Sequence, residues 1–124
     1  MGCGVIWHPG AVSDGDGRIW LTVPDVAERL GTTPTRVRRL LEDKHLLGSR
    51  RDGVLRVPEV FLAGSEPLPE LRGTAILLAD SGFDDDGAVA WLLDPEDSLG
   101  TAPIDALRAG RKAEVRRVAQ ALAL

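Results

Sequence analysis

Apolar residues recur at helical spacing in a short segment near the start of the chain. They are Val23, Val26, Ala27 and Leu30, and this spacing is typical of one buried face of an α-helix. Thr22 predicts the start of the helix, because its hydroxyl can accept from the free amides of the first turn. Pro24 follows where no amide donor is needed. Gly31 predicts the end, since glycine readily takes the left-handed conformation that turns the chain.

A second helix is predicted directly after that turn. Thr33 and Pro34 repeat the start of a capping residue followed by proline. The inward stripe is Val37, Leu40 and Leu41, and the outer face carries Thr35, Arg36, Arg38 and Arg39. Two short helices joined by a tight turn indicate a helix-turn-helix, in which the first helix braces the second and the second presents its N-terminal turns to the major groove of DNA.

The pattern then changes from helical spacing to that of a β-hairpin. Asp52-Gly53 stands between Leu46-Leu47 and the apolar positions of 54–57, and Asp-Gly between apolar runs is a strong hairpin signal. We predict a wing with Arg50 and Arg51 near its tip and Arg56 on its returning strand, where they can meet DNA phosphates. Pro58 predicts another short helix over 58–62, whose Val60, Phe61 and Leu62 close the small core.

The second half of the chain reads as helical. Turn-forming residues fill 64–69, and helices are predicted over 71–79, 87–93, 103–107 and about 111–122. Each half buries little surface alone, so we expect the two to pack together. The predicted fold is therefore mainly α: a winged helix-turn-helix with a short β-hairpin wing, followed by a small helical C-terminal domain packed on it. The predicted divisions are a flexible N-terminal tail (1–18), the winged helix-turn-helix (19–63), a linker (64–69) and the helical domain (70–124).

Charge is distributed unevenly between the halves. The chain is acidic as a whole, with 15 Lys and Arg against 19 Asp and Glu. Residues 31–57, however, hold seven basic residues against three acids, a net charge of +4, whereas residues 63–124 hold six against eleven, a net charge of −5. A local positive face on an acidic protein favours a groove-directed binder of double-stranded DNA over nonspecific coating.

The candidate DNA-binding residues follow from this placement. Arginine presents a planar fork that matches guanine edges and phosphates alike. We expect Thr35, Arg36 and Arg39 in the major groove, Arg38, Lys44, Arg50, Arg51 and Arg56 on phosphates, and Thr33 at the start of the recognition helix. The alternative left open is that the arginines are only the solvated face of an amphipathic helix.

The sequence gives little support for catalysis, metal binding or membrane insertion. Cys3 is the only cysteine, which excludes an internal disulfide and a multi-cysteine zinc site, and together with His8 and His45 it is too scattered for a nucleophile and base. The acidic run 84–86 is best explained as capping of the next helix, because it lacks the spacing of a calcium loop. We therefore predict no enzyme, no cofactor and no metal. No apolar run approaches the roughly 18 residues that span a bilayer, so we expect no membrane and a cytoplasmic location.

A family resemblance extends these expectations. The path from LTVPDVAERLGTTPTRVRRLLEDKHLLGSRRDGVLRVPEVFL into WLLDPEDSLGTAPIDALRAGRKAEVRRVAQAL resembles the actinobacterial winged-helix DNA-binding proteins of about this size that carry a small helical C-terminal region. It covers roughly residues 20–124. The resemblance implies a helix-turn-helix related to the excisionase and MerR-like group, with DNA binding as its activity. We expect a small transcriptional regulator that acts by occupancy of DNA.

A second resemblance supplies the alternative function. Trp91-Leu92, Leu99-Gly100, the run 103–107 and the terminal helix are similar to the C-terminal domain of some antitoxins that pair a helix-turn-helix with a helical module contacting a toxin. This resemblance implies a protein partner for the C-terminal region. The opposing interpretation is that Trp91, Leu92, Leu99 and Leu107 are core residues. The sequence leaves the oligomeric state open.

Overall fold

The computed structural model describes residues 12–13 and 18–122. The first half combines a four-stranded antiparallel sheet with two helices. The strands are β1 (Val12–Ser13), β2 (Ile19–Thr22), β3 (Ser49–Arg51) and β4 (Val54–Pro58), and the helices are α1 (Val23–Leu30) and α2 (Pro34–Glu42). The strand order is β1-β2-β4-β3, so the hairpin β3–β4 pairs with β2 through its second strand.

The local signals at the start of α1 act as the sequence predicts. The Thr22 hydroxyl accepts from the Asp25 amide at 3.3 Å, and the Asp25 carboxylate accepts from the Thr22 amide at 3.4 Å, which completes a capping box. Gly31 ends the helix with φ at 67°, a left-handed conformation that a side chain disfavours. The chain therefore reverses within three residues and begins α2.

The second helix also begins as predicted. The Thr33 hydroxyl accepts from the Arg36 amide at 3.2 Å. Val37 is fully buried and Leu40 is buried, while Leu41 is half-buried at the edge of the core. The prediction of an inward apolar stripe is thus confirmed, and this packing fixes which face of α2 points outward.

The predicted wing is present as the hairpin β3–β4. Its turn residues Asp52 and Gly53 have φ values of 55° and 79°, as the tight hairpin turn that matches strand twist requires. The strand β2 was not predicted from the sequence; it pairs Trp20 with Pro58 and Leu21 with Val57. This strand connects the wing to the body of the sheet, so the wing is held at its base.

The predicted N-terminal tail, 1–18, overlaps three residues that the structure describes. Residues 12–13 form β1 and pair with β2, and the Arg18 guanidinium lies 2.9 Å from the Asp105 carboxylate. Strand pairing and this ion pair therefore connect residues 12–13 and Arg18 to the rest of the fold. Residues 1–11 and 14–17, with Cys3 and His8, lie outside the described residues.

The predicted short helix over 58–62 and linker over 64–69 also need correction. Only Glu59–Phe61 is helical, as a single 3-10 turn. It is followed by a small hairpin of β5 (Leu62–Ala63) and β6 (Glu66–Pro67). Leu62 and Leu68 are both buried, so this connection is packed into the core. The apolar residues at these positions explain why it forms a fixed junction.

The C-terminal domain consists of four helices close to the predicted ones. They are α3 (Leu71–Asp80), α4 (Asp85–Leu93), α5 (Pro103–Arg108) and α6 (Lys112–Ala121). Val115 and Ala119 of α6 are buried, but Leu122 is 41% exposed because the helix ends before it. On α3, Gly73 lies under the Arg116 guanidinium, where a side chain would collide.

The two halves share one hydrophobic core. Phe61, Leu62 and Leu68 at the junction belong to the same buried cluster as Val37 of α2 and Leu71 of α3. Each fully buried leucine or phenylalanine contributes about 1.5–3 kcal/mol. The expectation that the helical domain packs on the winged helix is therefore confirmed, and its position relative to α2 is fixed.

Candidate nucleic-acid interface

The outer face of α2 carries the predicted recognition residues. Thr35, Arg36, Arg38 and Arg39 are all exposed. Within the part of the chain that the structure describes, the three arginine side chains form no ion pair. Charged groups that are not neutralised internally keep their full attraction for phosphate. The Thr33 hydroxyl already caps the helix, so its structural role here is to set where α2 begins.

The wing adds two arginines of different character. The Arg50 side chain is exposed and, among the described residues, has no carboxylate partner. The Arg51 guanidinium carbon lies 4.0 Å from the centroid of the Trp20 ring, an arrangement that favours the cation by about 0.5–2 kcal/mol. Trp20 of β2 therefore orients one of the two arginines that the sequence placed near the wing tip.

Arg56 occupies a more interior position than the other candidates. It lies on β4, opposite Thr22 of β2 and Ser49 of β3. The residue is half-buried, and its Nε atom is shielded from solvent. Its contact with a DNA phosphate stays a prediction. In the structure, Arg56 already takes part in an interaction within the protein.

Lys44 has a partner that the sequence did not suggest. Its Nζ lies 2.9 Å from Asp85 Oδ1 at the start of α4, and the Ser49 hydroxyl donates to Asp86 Oδ1 at 2.8 Å. Both acids belong to the run 84–86, whose first member accepts from the Gly87 amide at 2.8 Å. The capping interpretation of that run is confirmed, and the run also contacts the base of the wing.

No competing site of metal chemistry is visible at this surface. Among residues 12–13 and 18–122, no group of three or more His, Cys, Asp or Glu side chains is placed to hold a metal ion. None of the described helices has the length and hydropathy that a membrane crossing requires. The exposed guanidinium groups of α2 and the wing offer hydrogen bonding and charge attraction toward an anionic polymer.

Sequence reasoning missed one arginine beside this surface. Arg72, in the first turn of α3, donates from Nε to the Asp43 carbonyl at the end of α2, at 2.9 Å. This contact could not be predicted from the sequence, because 29 residues separate the two positions. The C-terminal domain thus brings a cationic side chain next to the recognition helix.

The residues that carry the antitoxin resemblance are placed mainly in the interior. Leu92, Leu99 and Leu107 are buried, and Trp91 is half-buried against the same core. The interpretation of the three leucines as core residues is confirmed. They do not form a surface on which a partner protein could dock.

Comparison with known proteins agrees with this architecture in both halves. The family model described as "DNA-binding protein Rv2175c, wHTH domain" matches residues 15–62, and the one described as "Rv2175c C-terminal domain of unknown function" matches residues 68–123. The DNA-binding protein Rv2175c of Mycobacterium tuberculosis (strain ATCC 25618 / H37Rv) is 35% identical over 114 residues, covering 82% of this chain and 78% of that protein. The NMR structure of Rv2175c matches with a TM-score of 0.77 and 31% identity, over 97% of this chain and 86% of that one.

Proposed function

The chain belongs to the Rv2175c family of winged-helix proteins, and we propose that it binds double-stranded DNA through α2 and the β3–β4 wing. The observation that carries the proposal is the set of exposed arginines without an ion pair in the described chain: Arg36, Arg38, Arg39 and Arg50. The resemblance to actinobacterial winged-helix proteins that the sequence suggested is confirmed by the mycobacterial relative.

In the proposed complex, the N-terminal turns of α2 enter the major groove. Thr35, Arg36 and Arg39 read base edges there, because they lie on the first two turns of the outer face. Each well-formed contact from an arginine to guanine contributes about 1–3 kcal/mol of discrimination between bases. Specificity is therefore concentrated in this helix.

The flanking cations position the protein on the backbone. Arg38, Arg50 and Arg51 contact phosphates on either side of the groove, and Arg56 supports the wing from β4. We assign Lys44 a different role from the predicted one, because its ammonium is already held by Asp85. Its contribution in the free protein is to join the winged helix to α4.

The biological consequence that we propose is regulation of transcription by occupancy of a DNA site, without catalysis. A protein that works on the chromosome of a bacterium acts in the cytoplasm, which is the location we propose. A protein partner for the C-terminal domain stays a prediction from sequence.

Selection from a random duplex pool tests the proposal directly. The full chain is incubated with the pool at about 50 mM and 200 mM salt, and the retained DNA is sequenced. We expect one enriched motif and an affinity that falls with salt as on the order of 3–6 phosphate contacts require. Retention of no DNA even at the lower salt concentration would contradict the proposal, since the arginines would then be only a solvated surface.

A further inference from the structure

A groove runs between α2 and the start of the C-terminal domain. It encloses about 410 Å³, and its walls include Arg36, Leu40 and His45 on one side and Glu66, Leu68 and Arg72 on the other. Two arginines against one carboxylate leave the groove with a net positive charge. Its position beside the outer face of α2 connects it with the proposed DNA surface.

Arg72 is held in this groove by a single hydrogen bond. Its Nε donates to the Asp43 carbonyl at 2.9 Å, at the C-terminal end of α2, where a positive charge is favourable. A guanidinium has five N–H donors, so four remain on the two Nη atoms. Among the described residues, those atoms have no further partner, and the residue is exposed.

The spacing along α2 suits a polyanion. Arg36 and Asp43 are seven positions apart, which is about two helical turns or 10 Å of rise. One strand of B-DNA carries a charge about every 3.4 Å along the axis. Arg36 and Arg72 line the same groove, so both can contact one polyanionic backbone.

The C-terminal domain is also fixed well enough to deliver this contact. The Lys44–Asp85 ion pair and the Ser49–Asp86 hydrogen bond hold the start of α4 against the winged helix. Leu68, which lines the groove, and Leu71, the neighbour of Arg72, are buried in the shared core. A side chain presented from a rigid element needs little additional ordering when it binds.

We propose that Arg72 contacts a DNA phosphate, so that the C-terminal domain takes part in DNA binding. This inference rests on the proposed function of α2 and the wing. It gives the C-terminal domain a direct role in the interface in addition to its packing role. The competing explanation is that Arg72 only caps the carbonyl end of α2.

Two substitutions separate these explanations. Arg72→Gln keeps an N–H donor for the Asp43 carbonyl but removes the charge, whereas Arg72→Lys keeps the charge. Lys112→Ala is the matched control, because it removes one exposed positive charge from another part of the C-terminal domain. Its neighbour Arg111 donates to the Leu99 carbonyl in the loop after α4. Binding of each full-length variant to one fixed duplex is measured across a salt series, together with thermal unfolding.

For Arg72→Gln we expect the slope of log affinity against log salt concentration to become shallower by about 0.9, which corresponds to the loss of one phosphate contact. The affinity at about 150 mM salt should fall roughly five-fold for the same reason. Arg72→Lys and Lys112→Ala should keep the wild-type slope, and all variants should keep the wild-type unfolding temperature within a few degrees. A wild-type slope and affinity for Arg72→Gln would overturn the inference and leave Arg72 as a helix cap. If the wild-type chain bound no duplex at all, the proposed function would fail first and this inference with it.

Discussion

The winged-helix half and the C-terminal domain use arginine in different ways. On α2 and the wing, Arg36, Arg38, Arg39 and Arg50 form no ion pair with any described residue. In the C-terminal domain, Arg72 makes one hydrogen bond and Arg117 is exposed, but the other three arginines are engaged by the protein itself. Arg108 donates to the Val60 and Leu62 carbonyls at 2.9 and 2.7 Å, Arg111 pairs with Glu114, and Arg116 packs over Gly73.

This difference shows which charges are available to a ligand. An arginine bound to carbonyls or to a carboxylate stabilises the fold and has less to offer a phosphate. An arginine without a carboxylate partner, on a helix whose opposite face is buried, is presented to solvent in a fixed direction. The unpaired arginines of α2 and the wing are therefore a better guide to function than the total number of basic residues.

The largest effect is expected from removing the two arginines nearest the proposed base edges. Arg36→Ala combined with Arg39→Ala should weaken duplex binding by about 100-fold or more, since each base contact is worth about 1–3 kcal/mol. Stability should be unchanged, because both side chains are exposed and unpaired in the described chain. Fluorescence anisotropy with a selected duplex measures the loss.

Arg117→Ala is the control for that variant, because it removes an exposed arginine from α6. It should bind DNA like the wild type. Equal losses in the two proteins would show that general charge matters and that α2 has no special role.

The second variant should lower stability and leave DNA affinity unchanged. Arg108→Ala leaves the Val60 and Leu62 carbonyls without their donor and should cost about 1.5–3 kcal/mol of unfolding free energy, as measured by urea denaturation. The DNA affinity of the folded variant should stay at the wild-type value. A large loss of affinity with no loss of stability would place Arg108 in the binding surface and break the comparison.

A smaller effect is expected where the two halves meet. Asp85→Asn removes the acidic partner of Lys44 and leaves one more cation available to the DNA backbone. Affinity should rise about two- to five-fold at about 150 mM salt, with a steeper salt slope. Asp97→Asn, in the exposed loop after α4, removes the same charge elsewhere and should change binding little. Weaker binding by Asp85→Asn would mean that the ion pair is needed to hold the wing in place.

The smallest effect concerns the Arg111–Glu114 pair. The hydrogen bonds from Arg111 hold the pKa of Glu114 below its ordinary value. A lowered pKa in the folded state contributes stability above the ordinary pKa of glutamate, and this stability is lost as the pH falls through the lowered value. Glu114→Gln should therefore lower the unfolding temperature slightly at pH 7, and the difference from the wild type should vanish in acid. A difference that persists there would point to packing as its cause.

Much of the winged helix could be predicted because its signals are local. Thr22, Thr33 and Gly31 act within one helical turn of their own positions, and Asp52-Gly53 defines its hairpin without reference to the rest of the chain. Helical spacing likewise predicted the four C-terminal helices to within about two residues at most ends. Local capping and periodicity are therefore sufficient for the order of elements.

The remaining features depend on contacts between distant residues. The strand β2 contains only four residues and is recognisable only from its pairing with β4. The Lys44–Asp85 pair joins positions 41 residues apart, and the Arg18–Asp105 pair joins positions 87 apart. The small size of the two halves predicted that they would pack together, but not which residues would meet. For the same reason the sequence assigned Lys44 to DNA and overlooked Arg72.

The central claim is that the unpaired arginines of α2 and the wing form the DNA-binding surface. Mapping amide NMR shifts of the full chain during titration with a short duplex tests it most directly. We predict that the largest changes fall in residues 33–39 and 49–53, with little change in 112–121. Changes concentrated in α6, with α2 and the wing unaffected, would contradict the account.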